Sequence, residues 1–378
     1  MRICYLANAK SFYFSRWYDF FLTRGHEVHL ISGDDSFLPI ETQLPDGVKL
    51  YYLPEKKLSN KMLSFSYNCL RMPLIIKELR RLIKQISPDI IHAHQITPCG
   101  LWAALSNFKP FVMTPMGSDA LVLARKYKLY GLITSYVLRK ANLITSDSLV
   151  LNEAIFEFGG REEKTHLVQN GVDLTKFNPD VERNHIRTKH NIGHGPVILS
   201  TRSMLPVYNI DFIIKAIPKV LKHFPNCRFL FLFAHADNLN KAKALADSLK
   251  VTNSAMFIGL ASYDQMPFYY ASSDVCVSVP SSDSSPCSVY EAMACGIPVV
   301  ISNLPWTKHF MKDRQNALIV QTDPEAIADA VTEILKNELL RGTLVTNGLS
   351  TVKEYVDYHK NMEVMEKLML HIIRRNTC

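Results

Sequence analysis

The chain has 378 residues, 47% hydrophobic and 21% charged, enough apolar material for two globular domains and no compositional case for disorder. Its formal charge of +8 is uneven: between Lys49 and Lys140 there are 15 Lys and Arg against 4 Asp and Glu, a net of +11. No run of 18 uncharged apolar residues occurs and the start, MRICYLANAK, lacks a continuous apolar segment, so neither a membrane span nor a secretory leader is expected, and a cytoplasmic protein is.

The eight cysteines are scattered with no C-x-x-C pair, which fits a reduced compartment and argues against a structural zinc site. The basic half carries no interleaved aromatic stripe, so nucleic acid is not an expected partner; its charge reads either as a well-solvated face or as attraction to an anionic acceptor or an anionic membrane surface. Arg80, Arg81 and Lys84, on one expected helix, are the expected point of that contact.

In chain order, Ile3 to Leu6 reads as a strand, Arg16 to Thr23 as a helix stopped at Gly25, and Val28 to Ser32 as a strand. A helix around Leu74 to Gln85 follows, then strands at Asp89 to Ala93 and Phe111 to Thr114, a helix near Tyr127 to Arg139, and a strand at Leu143 to Ser146. The polar stretch from Asn178 to Pro196 interrupts the pattern and reads as a connection. Alternation then restarts with strands at Val197 to Thr201, Phe229 to Phe233, Met256 to Ile258, Asp274 to Val279, Val299 to Ile301 and Ala317 to Val320. Helices fall at Ile210 to Phe224, Asn240 to Leu249 and after Pro286.

Strands alternating with helices predict two doubly wound parallel sheets: an α/β protein of two Rossmann-like domains, residues 1–178 and 197–359, joined by 179–196. Neither half carries G-x-G-x-x-G after its first strand, which weighs against a dinucleotide enzyme.

The segment richest in chemistry is Pro280 to Val300, PSSDSSPCSVYEAMACGIPVV. A buried strand runs into a Ser-rich loop, Ser285 can cap a helix, Pro286 suits its first turn, and Gly296 ends it. A helix start presents N–H groups and partial positive charge, which suits a diphosphate without a metal. Asp283 in the loop can accept hydrogen bonds from sugar hydroxyls; Glu291, two turns into the helix, can reach ribose hydroxyls.

This segment resembles the E-x7-E region of the family 4 glycosyltransferases of GT-B fold, with Asp283 at the first acidic position and Glu291 at the second. RGHEVHLIS from Arg24, DIIHAHQ from Asp89, TPMGSD from Thr114, QNGVDLTKFNP from Gln169 and FIGLASYDQMPFYYASSD from Phe257 are similar to further motifs in the family's order. The resemblance implies a GT-B fold with an interdomain cleft, the final helix near 360–375 packing back on the first domain. It implies a UDP-sugar donor by preference, a glycan or lipid-linked acceptor, retention of anomeric configuration, and no metal or other cofactor. On the donor side it implies Arg202, Asp283 and Glu291 with Asn209, Gly259, Leu260, Ser285, Pro286, Cys287 and Ser288; on the acceptor or sugar side, Ser15, Arg16, His94, Gly117, Ser118 and Asp119.

The chain departs from the family pattern at Met116, where many relatives have His, and at Tyr208-Asn209, where Lys-Gly is usual. It departs also in ANAKSFYFSR from Ala7, which replaces a Gly-rich loop. A GT-B-like nucleotide-sugar epimerase and a non-catalytic binding subunit are the alternative expectations.

Overall fold

The computed structural model describes residues 1–9, 12–33, 44–55, 68 and 70–377. The chain forms two compact units, Met1–Val168 with His359–Cys378, and Gln169–Tyr358.

In the first unit β1 (Arg2–Leu6), β2 (Glu27–Ser32), β3 (Lys49–Tyr52), β4 (Ile90–His94), β5 (Phe111–Thr114), β6 (Leu143–Ser146) and β7 (Thr165–Leu167) form one sheet. Their order is β3-β2-β1-β4-β5-β6-β7, every pair parallel. The second unit repeats the plan with β8 (Val197–Ser200), β9 (Arg228–Leu232), β10 (Ala255–Gly259), β11 (Val275–Ser278), β12 (Val299–Ser302) and β13 (Leu318–Val320). Here the order is β10-β9-β8-β11-β12-β13, again all parallel. Both sheets are doubly wound and each has its own apolar core, as the alternation of strands and helices predicts.

The amphipathic helices follow their apolar spacing. Met72–Ile86 buries Ile75, Ile76, Leu79, Leu82, Ile83 and Ile86, a stripe at steps of three and four residues. Pro324–Lys336 starts at Asp323, whose carboxylate accepts from the Ala326 N–H at 2.9 Å.

The chain passes between units at Val168 and again at Tyr358. The polar stretch 179–196, read from sequence as the connection, lies inside the second unit. Its helix Asn184–Lys189 buries Ile186, and the largely covered Arg187 donates to Asp274 at 2.9 Å and to the carbonyls of Ser272 and Gly195. A stretch that looks like a linker by composition is thus tied to the second unit by Arg187 and by Arg183, which also pairs with Asp274.

The QNGVD segment has a tight local function. Gly171 has φ +71, and a Cβ there would stand 2.5 Å from the Cα of Tyr358. Val172 donates to the Val356 carbonyl and Tyr358 donates back to Val172, so the outgoing chain lies directly on the motif. Beyond it, helix Tyr358–Thr377 joins the first unit, where Glu366 accepts from Arg24 at 2.9 Å and faces His26 Nε2 at 2.6 Å. Met362, Met365 and Met369 of the same helix are buried.

Candidate active site

In the second sheet the strand order reverses at β8 and β11, so the connections leave on opposite faces and open a crevice at the carboxyl ends of those strands. Arg202 follows β8, and Asp283 lies in the loop after β11. The two meet: Arg202 Nη2 donates to the Asp283 carboxylate at 2.6 Å, and Nη1 donates to Ser288 Oγ at 3.2 Å. The guanidinium lies 4.3 Å from the centre of the Tyr208 ring. With side chains only 12% and 15% exposed, the ion pair is sheltered from much of the screening that weakens surface pairs. Sequence reasoning assigned Arg202 to phosphate and Asp283 to sugar; in the structure each answers the other's charge. Tyr208, which stands where a cation is lost, supplies an aromatic face that holds the remaining cation.

The helix after the loop is Cys287–Ala294. Pro286 is its extended N-cap residue rather than part of its first turn, and no side chain caps the helix. Ser285, expected as the cap, turns its hydroxyl inward to donate to Gln169 Oε1 at 2.7 Å, with Tyr290 OH at 3.3 Å. The positive end of the helix therefore has no oxygen from its own N-cap side chain against it. Ser288 and Cys287 are half-buried there, and Ser288 already touches Arg202.

Glu291 is buried one turn further on and accepts a hydrogen bond from Tyr270 OH at 3.0 Å. Burial, and then the charge of Glu291, pushes the Tyr270 phenol well above its usual pKa, so it keeps its proton and remains the donor. Asn209, in the left-handed region at φ +51, donates its amide to the Val279 carbonyl at 2.9 Å and to Ser281 Oγ at 2.8 Å. That amide braces the Ser-rich loop. Gly259 ends β10 at φ +92 and Leu260 is exposed beside it; β10 stands two strands from β8, about 10 Å along the same sheet.

The first-unit candidates are more dispersed. Asp119 is buried and filled by backbone: its carboxylate accepts from Ile96 at 2.8 Å and from Met116 and Ala120 at 3.0 Å. Burial raises its pKa against the opposing pull of these N–H groups. It staples the loops after β4 and β5 together. Gly117, at φ +87, makes the turn, and Ser118 is exposed on it. His94 is buried among Trp17, Tyr5 and His92, with ring centres 5.0, 5.5 and 4.2 Å away. Burial pushes its pKa down to about 3, so the ring is neutral near pH 7. Arg16 is half-buried in helix Phe12–Thr23. The side chain of Ser15 lies outside the described residues, as do Lys10 and Ser11 of the amino-terminal loop.

Three neighbours of these residues escaped the sequence reading: Tyr270 beside Glu291, Gln169 beside Ser285, and the Tyr208 ring beside Arg202. Among the described residues no three of His, Cys, Asp and Glu cluster to hold a metal ion, and no helix is long and apolar enough to cross a membrane.

The site falls within residues 182–351, which match the family described as glycosyl transferases group 1; residues 2–148 match glycosyl transferase 4-like. The chain belongs to this glycosyltransferase family. The chain is 22% identical over 267 residues to alpha-monoglucosyldiacylglycerol synthase of Streptococcus pneumoniae, covering 67% of this chain and 60% of that one. Over 187 residues it is 26% identical to a GDP-mannose-dependent alpha-(1-6)-phosphatidylinositol monomannoside mannosyltransferase of Mycolicibacterium smegmatis, 47% of this chain and 48% of that one. The matches thus span about half to three-fifths of these relatives. Anabaena Alr3699/HepE, solved in complex with UDP and glucose, superposes with a TM-score of 0.80 at 16% identity, covering 98% and 100% of the two chains. The fold is GT-B.

Proposed function

We propose that this glycosyltransferase moves a sugar from a nucleotide sugar, a UDP-sugar by preference, to a glycan or lipid-linked acceptor with retention of anomeric configuration. The observation that carries the reading is the cluster of Arg202, Asp283 and Ser288 at the start of helix Cys287–Ala294, with Glu291 fixed by Tyr270 one turn away. The diacylglycerol and phosphatidylinositol in the relatives' names favour a lipid-linked acceptor at an anionic cytoplasmic membrane surface. The UDP in the superposed structure favours a uridine donor over the GDP-mannose of the second relative.

In this reading the donor diphosphate lies against Arg202 and the helix N–H groups, which carry its charge without a metal. Sugar transfer passes through an oxocarbenium-like state while negative charge grows on the leaving phosphate oxygen. Arg202 and the amides stabilise that oxygen, and Tyr208 holds the guanidinium in place. Asp283 releases Arg202 and takes up sugar hydroxyls; Glu291, held by Tyr270, takes ribose hydroxyls. The acceptor attacks from the face the phosphate leaves, and the departing phosphate receives its proton.

Calorimetry against UDP, GDP and ADP, followed by transfer from the matching nucleotide sugar into a lipid extract, tests the reading. UDP binding with a new glycolipid supports it. Acceptor-free conversion of the donor to an isomer would replace it with an epimerase, and binding without transfer to any acceptor would replace it with a non-catalytic subunit.

A further inference from the structure

Helix Lys128–Lys140 in the first unit is apolar on both sides. It buries Gly131, Thr134, Val137 and Leu138 against the domain. Leu129, Leu132 and Tyr136 point outward, 55%, 70% and 38% exposed, with Tyr127 exposed at the preceding residue. At about 100° per residue these three outward side chains fall within a sector of about 60°, so they form one strip. Scattered exposed leucines are ordinary, but a strip along a helix of about 20 Å is a surface that water covers poorly.

The strip has a charged border of one sign. Lys128 and Arg139 lie along one edge and Lys140 along the other; the Lys126 ammonium sits 5.3 Å from the Tyr127 ring centre, and that of Lys140 5.9 Å from Tyr136. No Asp or Glu occurs between Asp119 and Asp147, and Asp119 is buried. Glu157 reaches toward this region but is engaged by Arg125 at 2.7 Å, and the Arg139 guanidinium folds back against Gly159. Lys126, Lys128 and Lys140 therefore frame an apolar centre and have no carboxylate partner among the described residues.

The helix named from sequence as the anionic contact fits less well. Arg80 donates to the Leu105 and Ser106 carbonyls, closing the end of helix Leu101–Ser106, and Arg81 is paired with Glu78 at 2.6 Å. Lys84 is the one of the three with no such contact described.

We infer that the outward face of Lys128–Lys140 docks on an anionic lipid surface, with Leu129 and Leu132 among the acyl chains, Tyr127 and Tyr136 at headgroup depth, and the lysines on lipid phosphates. A second copy of the chain is disfavoured as occupant, because pairing this face with itself sets lysines against lysines without a carboxylate to answer them. The inference deepens the lipid-linked acceptor reading and rests on it for its purpose.

Flotation with vesicles containing about 30% phosphatidylglycerol, and with pure phosphatidylcholine, separates the two, because no donor or acceptor is needed. The whole chain binds the anionic vesicles at about 0.05 M salt and less at about 0.5 M. Replacing Leu129→Ser and Leu132→Ser together lowers partitioning at least about ten-fold without changing the thermal midpoint, because both side chains are exposed. Replacing Lys126→Gln, Lys128→Gln and Lys140→Gln together removes the salt dependence. Equal vesicle binding by the wild type and the Leu129/Leu132 variant would overturn the inference. So would a wild-type dimer in gel filtration that this variant abolishes, with no binding to vesicles. Transfer to a detergent-dispersed acceptor is unchanged in the Leu variant; absence of transfer in the wild type beside intact vesicle binding would sink the functional reading alone.

Discussion

Replacing Asp283→Asn separates the duties of the ion pair at the candidate site. Arg202 is bound to Asp283 at 2.6 Å, and both side chains are largely covered. A charge-assisted hydrogen bond of this kind contributes about 1.5–3 kcal/mol. A diphosphate approaching Arg202 must compete with that carboxylate. The nearly isosteric amide keeps the shape and removes the competing charge, so part of that energy is returned to ligand binding. A gain of about 1 kcal/mol strengthens nucleoside diphosphate affinity about five-fold. The same change costs the sugar a charged acceptor, and turnover falls by about ten- to a hundred-fold. The thermal midpoint drops modestly, because the covered guanidinium loses its partner. Calorimetry with the diphosphate and a turnover assay with the nucleotide sugar read the two effects separately. Weaker diphosphate binding with unchanged turnover would refute the assignment of the pair.

Glu291→Gln keeps an oxygen to accept from Tyr270, leaves the fold intact, and weakens nucleotide binding by about 1.5–3 kcal/mol, at least ten-fold by calorimetry. Unchanged affinity would remove Glu291 from the site. Activity survives EDTA, and its loss with recovery only on adding Mg²⁺ or Mn²⁺ would contradict a diphosphate held by Arg202 and amides alone. Acid weakens the first unit through His94. Burial pushes its pKa down to about 3 in the folded protein from the ordinary 6.5, so below 6.5 the unfolded chain takes a proton that the folded chain refuses. The stability present above 6.5 is lost as pH falls toward 3, by about 2 kcal/mol at pH 5. His94→Phe flattens that slope in thermal melts from pH 7 to 5, and an unchanged slope would show that His94 does not cause it.

The sheets were legible because their central strands are continuous apolar runs; Phe111–Thr114 and Leu143–Ser146 are bounded in the structure as they read in sequence. β3 and β7, both sheet edges, were missed: short and only partly covered, they carry weak apolar patterns. At the site, the residues of the Ser-rich segment were legible as a group, but their individual partners were not. Which serine turns inward is decided by Gln169, 116 positions away, and the duty of Asp119 by amides on two separate loops. Such contacts leave no periodic trace. Tyr208 could be read only as a missing cation until its ring was found beside Arg202.

The most direct test of the central claim is the product formed from a nucleotide sugar labelled with ¹³C at the anomeric carbon and a membrane lipid extract, followed by NMR for the wild type and for Arg202→Met. The account predicts a glycolipid with the donor's anomeric configuration from the wild type, and a rate at least about a hundred-fold lower when the cation at the leaving phosphate is gone. An inverted product, or an equal rate from the Arg202→Met variant, would contradict it.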